Sequence, residues 1–382
     1  MIKTIVYYKM GSYLPITENW IFNQINNLKR YQAIVYCHGT ENLNVYPVEK
    51  NRSVKRTFFN LVWNKIFKFY PLFILYLLKD KPDLIHAHFG FSGYGFLQLK
   101  QMFKIPLFTS FYGQDLSMLP QQFPKWKKRY QQLFKEGDCF LIEGNHMKQS
   151  LVQLGCPEEK IIVQHLGVDL NKIKYSARKL RKNQAIKILI SASFREKKGI
   201  PFAVEAFGMV KEKNPGLKLK LTIIGDSRGN NLGEMEKRKI FNKIKEYNLK
   251  DSITFLGYQS YLVFLDELYK HHIFISPSIT ASDGDTEGGI PVSLIEASAS
   301  GMPVLSTTHC DIPEAILNGK SGYLVPERDS VALADKLDFL VSHTKIWGKM
   351  GKAGRSHIGE NYDLKKQIKK LENIYDNTLL KR

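Results

Sequence analysis

Residues 273–304 read IFISPSITASDGDTEGGIPVSLIEASASGMPV. The opening six residues are a short apolar run of strand type. Residues 290–299 carry helical spacing, with Pro291 preset for a first turn, Gly301 as a stop and Pro303 opening the next strand. Strand, glycine-bearing loop, helix and strand make one βα unit, and the same alternation recurs on both sides of it. Strands are predicted at 2–8, 33–37, 84–87, 107–110, 139–142 and 161–164 in the first half. In the second half they fall at 187–192, 220–224, 253–255, 273–276 and 303–306. Helix-period stretches lie between them, at 18–29, 124–134, 145–154, 200–211, 233–247, 261–269 and 290–299. Such alternation implies parallel sheets covered by helices on both faces. The expected fold is α/β, with two Rossmann-like domains facing across a cleft.

A chain of 382 residues exceeds one ordinary core, which supports two domains. The polar, basic run NKIKYSARKLRKNQ at 171–184 has no apolar period and reads as the linker. Boundaries follow at 1–170 and 185–361. The tail, 362–382, carries Leu364, Ile368, Leu371, Ile374 and Tyr375 as a helical stripe.

The opening MIKTIVYYKM is too short an apolar run for a signal peptide and reads as a core strand. Cys37, Cys139, Cys156 and Cys310 form no CxxC pair, which fits a reducing compartment and gives no structural zinc site. The formal charge of +20 implies an anionic partner. No nucleic-acid-binding motif accompanies it, so no nucleic-acid partner is expected. Residues 50–81 mix Arg52, Lys55, Arg56, Lys65 and Lys68 with Phe58, Phe59, Trp63, Phe67, Phe69 and Phe73. That composition suits a basic helix on an anionic membrane surface, and equally a core helix with a solvated face. FPKWKKRY at 123–130, with Trp126, is a second such segment.

In open α/β sheets, ligands bind beyond the carboxyl ends of the strands, and the chemistry-bearing residues here follow strands. Gly288, Gly289 and Ile290 precede a helix whose first amides suit phosphate oxygens. Glu287 and Glu296 flank them, about 10 Å apart along the axis, and each carboxylate can accept from two neighbouring hydroxyls. Asp283, Asp285 and Glu287 mimic the start of a calcium loop, but its twelfth position is Leu294. Asp283–Asp285 also forms a DxD without a second acidic cluster, so no metal and no other cofactor is expected. In SASFREKKGI at 191–200, Arg195 supplies a planar fork and Lys198 a point charge to a diphosphate.

In this order, Arg195–Lys198, Gly225, FLGY at 255–258 and EGG…E at 287–296 resemble family-four retaining glycosyltransferases of the GT-B fold. YLPITENWIFNQI at 13–25, HAHFG at 86–90, SFYGQDLS at 110–117 and HLGVDL at 165–170 are similar to enzymes of bacterial surface-polysaccharide assembly. The resemblance implies Arg195 and Lys198 as diphosphate ligands, Glu287 at the transferred sugar and Glu296 at the ribose. It also implies Gly257 and Tyr258 flanking the base, with Gly11 approaching the phosphates from the other domain. It implies a UDP- or GDP-sugar donor, a lipid-linked oligosaccharide acceptor, and a cytoplasmic enzyme peripheral to the inner face of the cell membrane.

Two departures stand out. Eight residues rather than seven separate the two glutamates, and Tyr112 occupies a position where many members carry histidine. His88 and Asp115 are then the nearest polar candidates in that domain, while His86 and His88 read equally well as buried histidines ending a strand. A dehydrogenase needs GxGxxG after the first strand, which KMGSYLPITE at 9–18 lacks. A sugar-nucleotide epimerase of the same two-lobed fold, and a non-catalytic protein binding anionic membrane, stay as alternatives.

Overall fold

The computed structural model describes residues 2–15, 18–67 and 69–380. Ile16 and Thr17 of the 13–25 loop, Lys68 of the basic stretch, and Lys381 and Arg382 of the tail lie outside the described residues. The chain divides into two compact units, one of residues 1–167 with 364–382, the other of residues 168–363.

In the first unit the main sheet holds β1 (Lys3–Lys9), β2 (Tyr31–Cys37), β3 (Asn51–Ser53), β4 (Leu84–His88), β5 (Leu107–Ser110), β6 (Cys139–Ile142) and β7 (Ile161–Val163). They form one parallel sheet in the order β3-β2-β1-β4-β5-β6-β7. The strand sequences are apolar on both faces because both faces are covered; every residue of β4, β5 and β6 is buried. The order reverses between β1 and β4, whose last residues, Lys9 and His88, lie side by side. The tail helix Leu364–Leu380 buries Leu364, Ile368, Leu371, Ile374 and Tyr375 in this unit, worth on the order of 10 kcal/mol before the entropy of ordering it. Its Glu372 accepts from the amides of Lys29 and Arg30 at 2.6 and 2.7 Å.

The second unit holds β8 (Ile186–Ser191), β9 (Leu219–Ile224), β10 (Ile253–Gly257), β11 (Ile273–Ser276), β12 (Val304–Thr307) and β13 (Gly322–Val325). Its parallel sheet runs β10-β9-β8-β11-β12-β13, reversing between β8 and β11. The final strand, β13, is short and begins with glycine, so it gives little apolar signal in sequence.

Two expectations change. Residues 171–184 belong to the second unit and are anchored there. The Arg178 guanidinium, 5% exposed, donates to the carbonyls of His271 at 2.9 Å and Leu268 at 2.7 Å and to Ser300 Oγ at 2.8 Å. The stretch 50–81 is an edge strand followed by two helices, Phe58–Phe67 and Pro71–Asp80. Trp63 and Trp126, set among the basic residues of the two candidate membrane-surface segments, are half-buried. Trp63 rests on Phe67 at 4.5 Å, and Trp126 packs on Tyr130 at 5.6 Å beneath Arg129. Among the described residues no single helix is long and apolar enough to cross a membrane.

Candidate active site

At the reversal in the second sheet, two loops must touch. The loop after β8 turns through Glu196–Lys198 into Gly199, at φ 60°, and then into helix Ile200–Lys213. A Cβ on Gly199 would sit 1.9 Å from the carbonyl oxygen of Pro277, just after β11. Only glycine therefore lets the loops close, and the amide of Ile279 then donates to the Lys197 carbonyl at 2.9 Å.

This contact brings five charges together. Lys198 Nζ donates to Glu287 at 2.8 Å, and Arg195 pairs with Asp285. Lys197 lies between the two carboxylates, 3.2 Å from Asp285 and 3.8 Å from Glu287, and donates to the Thr286 carbonyl at 2.7 Å. Ser278 Oγ donates to Glu287 at 2.8 Å. Burial would raise the Glu287 carboxyl, but Lys198 and Lys197 hold it down at about 2, so it stays ionised. Burial also lowers the Lys197 ammonium, against the pull of Glu287 and Asp285. Three cations to two carboxylates leave one net positive charge.

A further pair fixes the loop itself. The Glu287 amide donates to His309 Nε2 at 3.1 Å, and His309 Nδ1 lies 2.6 Å from Glu327. Nε2 must accept, so the ring proton sits on Nδ1 and points to Glu327. Glu327 in turn accepts from the Thr280 amide at 2.7 Å.

Glu296 stands apart from that network, in helix Val292–Ala299. It is 5% exposed and accepts from the Tyr261 hydroxyl at 2.7 Å. Burial raises its carboxyl to about 7. The helix starts at Val292 rather than Ile290, and the amides of Leu294 and Ile295 already donate to the Pro291 carbonyl. Two of the first-turn amides expected to face phosphate are therefore satisfied. Ile290 is 5% exposed with its side chain in the core, so that side chain does not face a ligand. Gly288 takes φ 75° and Gly257 φ 65°, while Tyr258 is 46% exposed.

At the reversal in the first sheet, Gly11 takes φ 112° with open space where a Cβ would be. Lys9 beside it donates to the Ser12 carbonyl at 2.8 Å and pairs with Glu18 at 3.1 Å. His88 is 1% exposed, its Nδ1 2.6 Å from the Tyr112 hydroxyl, its ring stacked on Tyr112 and 4.6 Å from His86. His86 bonds Tyr375 and Ser110, each at 2.7 Å. Burial holds both imidazoles neutral, His86 at about 3 and His88 well below its usual value. Asp115 is a correction. It is 1% exposed and its oxygens accept from the amides of Gly90 at 2.7 Å and Tyr112 at 2.9 Å, so it shapes the loop instead of facing a substrate.

The fold thus unites Arg195, Lys198 and Glu287 and keeps Glu296 on a separate partner. Sequence reading missed Lys197, His309 and Glu327, and weighed Asp285 only as a cation ligand. Adjacency in REKK was the one available signal for Lys197; His309 and Glu327 follow separate strands and had none. Among the described residues no group of three or more His, Cys, Asp or Glu is placed to hold a metal ion.

Against this geometry the comparisons with known proteins are consistent. Residues 18–172 match the model of Glycosyltransferase Family 4, and residues 171–357 that of Glycosyl transferases group 1. Over 257 residues the chain is 36% identical to WcaL of Salmonella typhimurium, named for colanic acid biosynthesis, covering 67% of this chain. It is 35% identical over 254 residues to the amylovoran biosynthesis glycosyltransferase AmsK of Erwinia amylovora, covering 66% of this chain. In both cases the match spans 60% of the relative's length. The crystal structure of Anabaena HepE with UDP and glucose superposes at a TM-score of 0.80 with 14% identity, covering 98% of this chain and all of that one. Sucrose-phosphate synthase of Thermosynechococcus elongatus gives 0.78 with 17% identity over the whole of both chains. These likenesses establish a GT-B fold of two Rossmann-like domains. The chain belongs to the glycosyltransferases that join a Glycosyltransferase Family 4 domain to a Glycosyl transferases group 1 domain.

Proposed function

We propose that this chain is a retaining hexosyltransferase that moves a sugar from a UDP- or GDP-sugar to a lipid-linked glycan in bacterial surface polysaccharide synthesis. It would act in the cytoplasm, at the inner face of the cell membrane. The observation that carries this reading is the five-charge network after β8 and β11. With one net positive charge, Arg195 37% exposed and Lys198 19% exposed, it is short of negative charge in the way a diphosphate would supply. HepE, of the same fold, has been crystallised with UDP and glucose, and WcaL and AmsK are named for colanic acid and amylovoran biosynthesis.

In this scheme Arg195 and Lys198 hold the diphosphate and offset charge as the sugar leaves. Glu287, kept ionised by its lysines, orients the sugar hydroxyls; Glu296 accepts from the ribose. The leaving phosphate oxygen takes the acceptor's proton on the same face, so no separate base is required and stereochemistry is retained. Orientation and electrostatics then supply the rate enhancement, each worth several kcal/mol. No metal enters the scheme.

Thermal-shift titration against UDP- and GDP-sugars tests the donor, because a ligand of the native state raises Tm with occupancy. A shift with a nucleotide-sugar, lost in Lys198→Ala, supports the reading. No shift with any of them refutes it. Turnover of the donor without an acceptor would point to an epimerase, and the anomeric configuration of the product, read by NMR, decides retention.

A further inference from the structure

Residues 50–79 contain seven basic residues and no Asp or Glu. Arg52 is bound to Asp80 at 2.6 Å, but Lys55, Arg56, Lys65 and Lys79 are exposed. On the same segment the helices Phe58–Phe67 and Pro71–Asp80 meet at 82° along an apolar groove. Phe58, Val62 and Ile66, at 85%, 42% and 64% exposure, fall at i, i+4 and i+8 and make one stripe. Leu72, Leu75 and Leu78, at 39%, 59% and 56%, make a second at i, i+3 and i+6. The inward face of the second helix is fully packed, with Phe73 stacked on Tyr36 at 5.4 Å and Leu77 1% exposed.

Eight of the 25 large apolar side chains exposed among the described residues lie between residues 58 and 78. Isolated exposed apolar residues need no explanation, but this concentration does. What covers it must accept apolar side chains and carry negative charge. A second copy of the chain presents the same acid-free, basic surface, and two copies at +20 each repel. An anionic bilayer meets both requirements, taking the apolar stripes at the acyl boundary and the lysines at the headgroups. We infer that this helix pair is the face by which the protein docks on anionic lipid. The inference stands on this surface alone and does not rest on the donor chemistry.

The test is sedimentation of the full chain with vesicles of phosphatidylcholine alone or mixed equally with phosphatidylglycerol. Binding is expected on the order of tenfold tighter to the mixed vesicles and released by high salt. Lys55→Glu with Arg56→Glu should weaken it by roughly tenfold or more. Phe58→Ser with Val62→Ser and Ile66→Ser should abolish the part that survives salt. All five positions are exposed, so circular dichroism should be unchanged, and the nucleotide-sugar thermal shift should stay intact in both variants. Absent sedimentation, or equal salt-insensitive partition onto both vesicles, overturns the inference. So does a serine variant that binds as the parent does. A concentration-dependent dimer that the serine variant dissociates, without vesicle binding, assigns the face to a second copy instead.

Discussion

The two sheets reverse strand order in the same way, yet the ends of their central strands are filled with opposite chemistry. Beyond β8 and β11, Arg195, Lys197 and Lys198 interleave with Asp285 and Glu287, all charged. In β4 and just after β5, His86, His88 and Tyr112 form a buried, neutral, stacked group, with the Lys9–Glu18 ion pair beside them. One scaffold thus yields a charged cluster in one unit and a mainly aromatic, neutral one in the other. The difference lies in the loops: a glycine contact presses two charged loops together in one unit, whereas aromatic rings fill the other.

The largest effect should come from breaking the charged end. Lys198→Ala is expected to lower transfer by roughly 10²–10³-fold, since in the proposed scheme Lys198 offsets developing charge, and also to lower Tm, because buried Glu287 loses its nearest cation, with circular dichroism unchanged. A steady-state rate close to the parent's would remove the lysine from the chemistry.

Lys197→Met should act on stability instead. It leaves Asp285 and Glu287 buried with one cation fewer, at a cost of about 3 kcal/mol in urea unfolding. The comparable change at the neutral end, Tyr112→Phe, strips His88 Nδ1 of its partner and should cost only about 1–2 kcal/mol, leaving nucleotide binding untouched. If Tyr112→Phe proves the more damaging of the two, the contrast drawn between the sites is wrong.

Acid and base should also divide the two ends. Glu296 titrates at about 7 in the folded state, above its ordinary 4.5, so its contribution is intact below 4.5 and is lost as pH rises through 7. At pH 8, Glu296→Gln should therefore exceed the parent in stability by about 3 kcal/mol, with the gap closing near pH 4.5. His86 and His88 behave oppositely. Their folded pKa is depressed, so the stability they confer is present above about 6.5 and falls as pH drops toward 3. Hydrogen exchange should show acid loosening both units, the second through Glu287 and His272, whereas loosening as pH rises through 7 should appear at the helix Val292–Ala299 and not at β1 and β4. Base-side loosening at β1 and β4 with none at that helix would contradict this division.

The smallest expected effect is none at all. EDTA should leave transfer unchanged, because the Asp283–Asp285 pair already spends Asp285 on Arg195 and Lys197. Activity lost to EDTA and restored by manganese would make that pair a metal site.

Much of this was legible in the chain. Apolar β-branched runs located the central strands, and the stripe at Leu364, Ile368, Leu371, Ile374 and Tyr375 marked the tail helix, because burial on a regular element imposes a period. Arg195, Lys198 and Glu287 were singled out because each lies on a loop that follows a strand. Residues 171–184 were misread as a bare linker since nothing local distinguishes a solvated arginine from Arg178, whose partners are carbonyls some 90 to 120 residues away.

By itself, then, the sequence determined the alternation of elements, the two-domain organisation and the loops that bear the chemistry, all of which follow from local period and punctuation. Only the tertiary structure decided which charges neutralise one another, that Glu296 is buried against Tyr261 and titrates near 7, and that Asp115 serves backbone amides. Those outcomes depend on desolvation and on partners distant in sequence, and no local pattern encodes either.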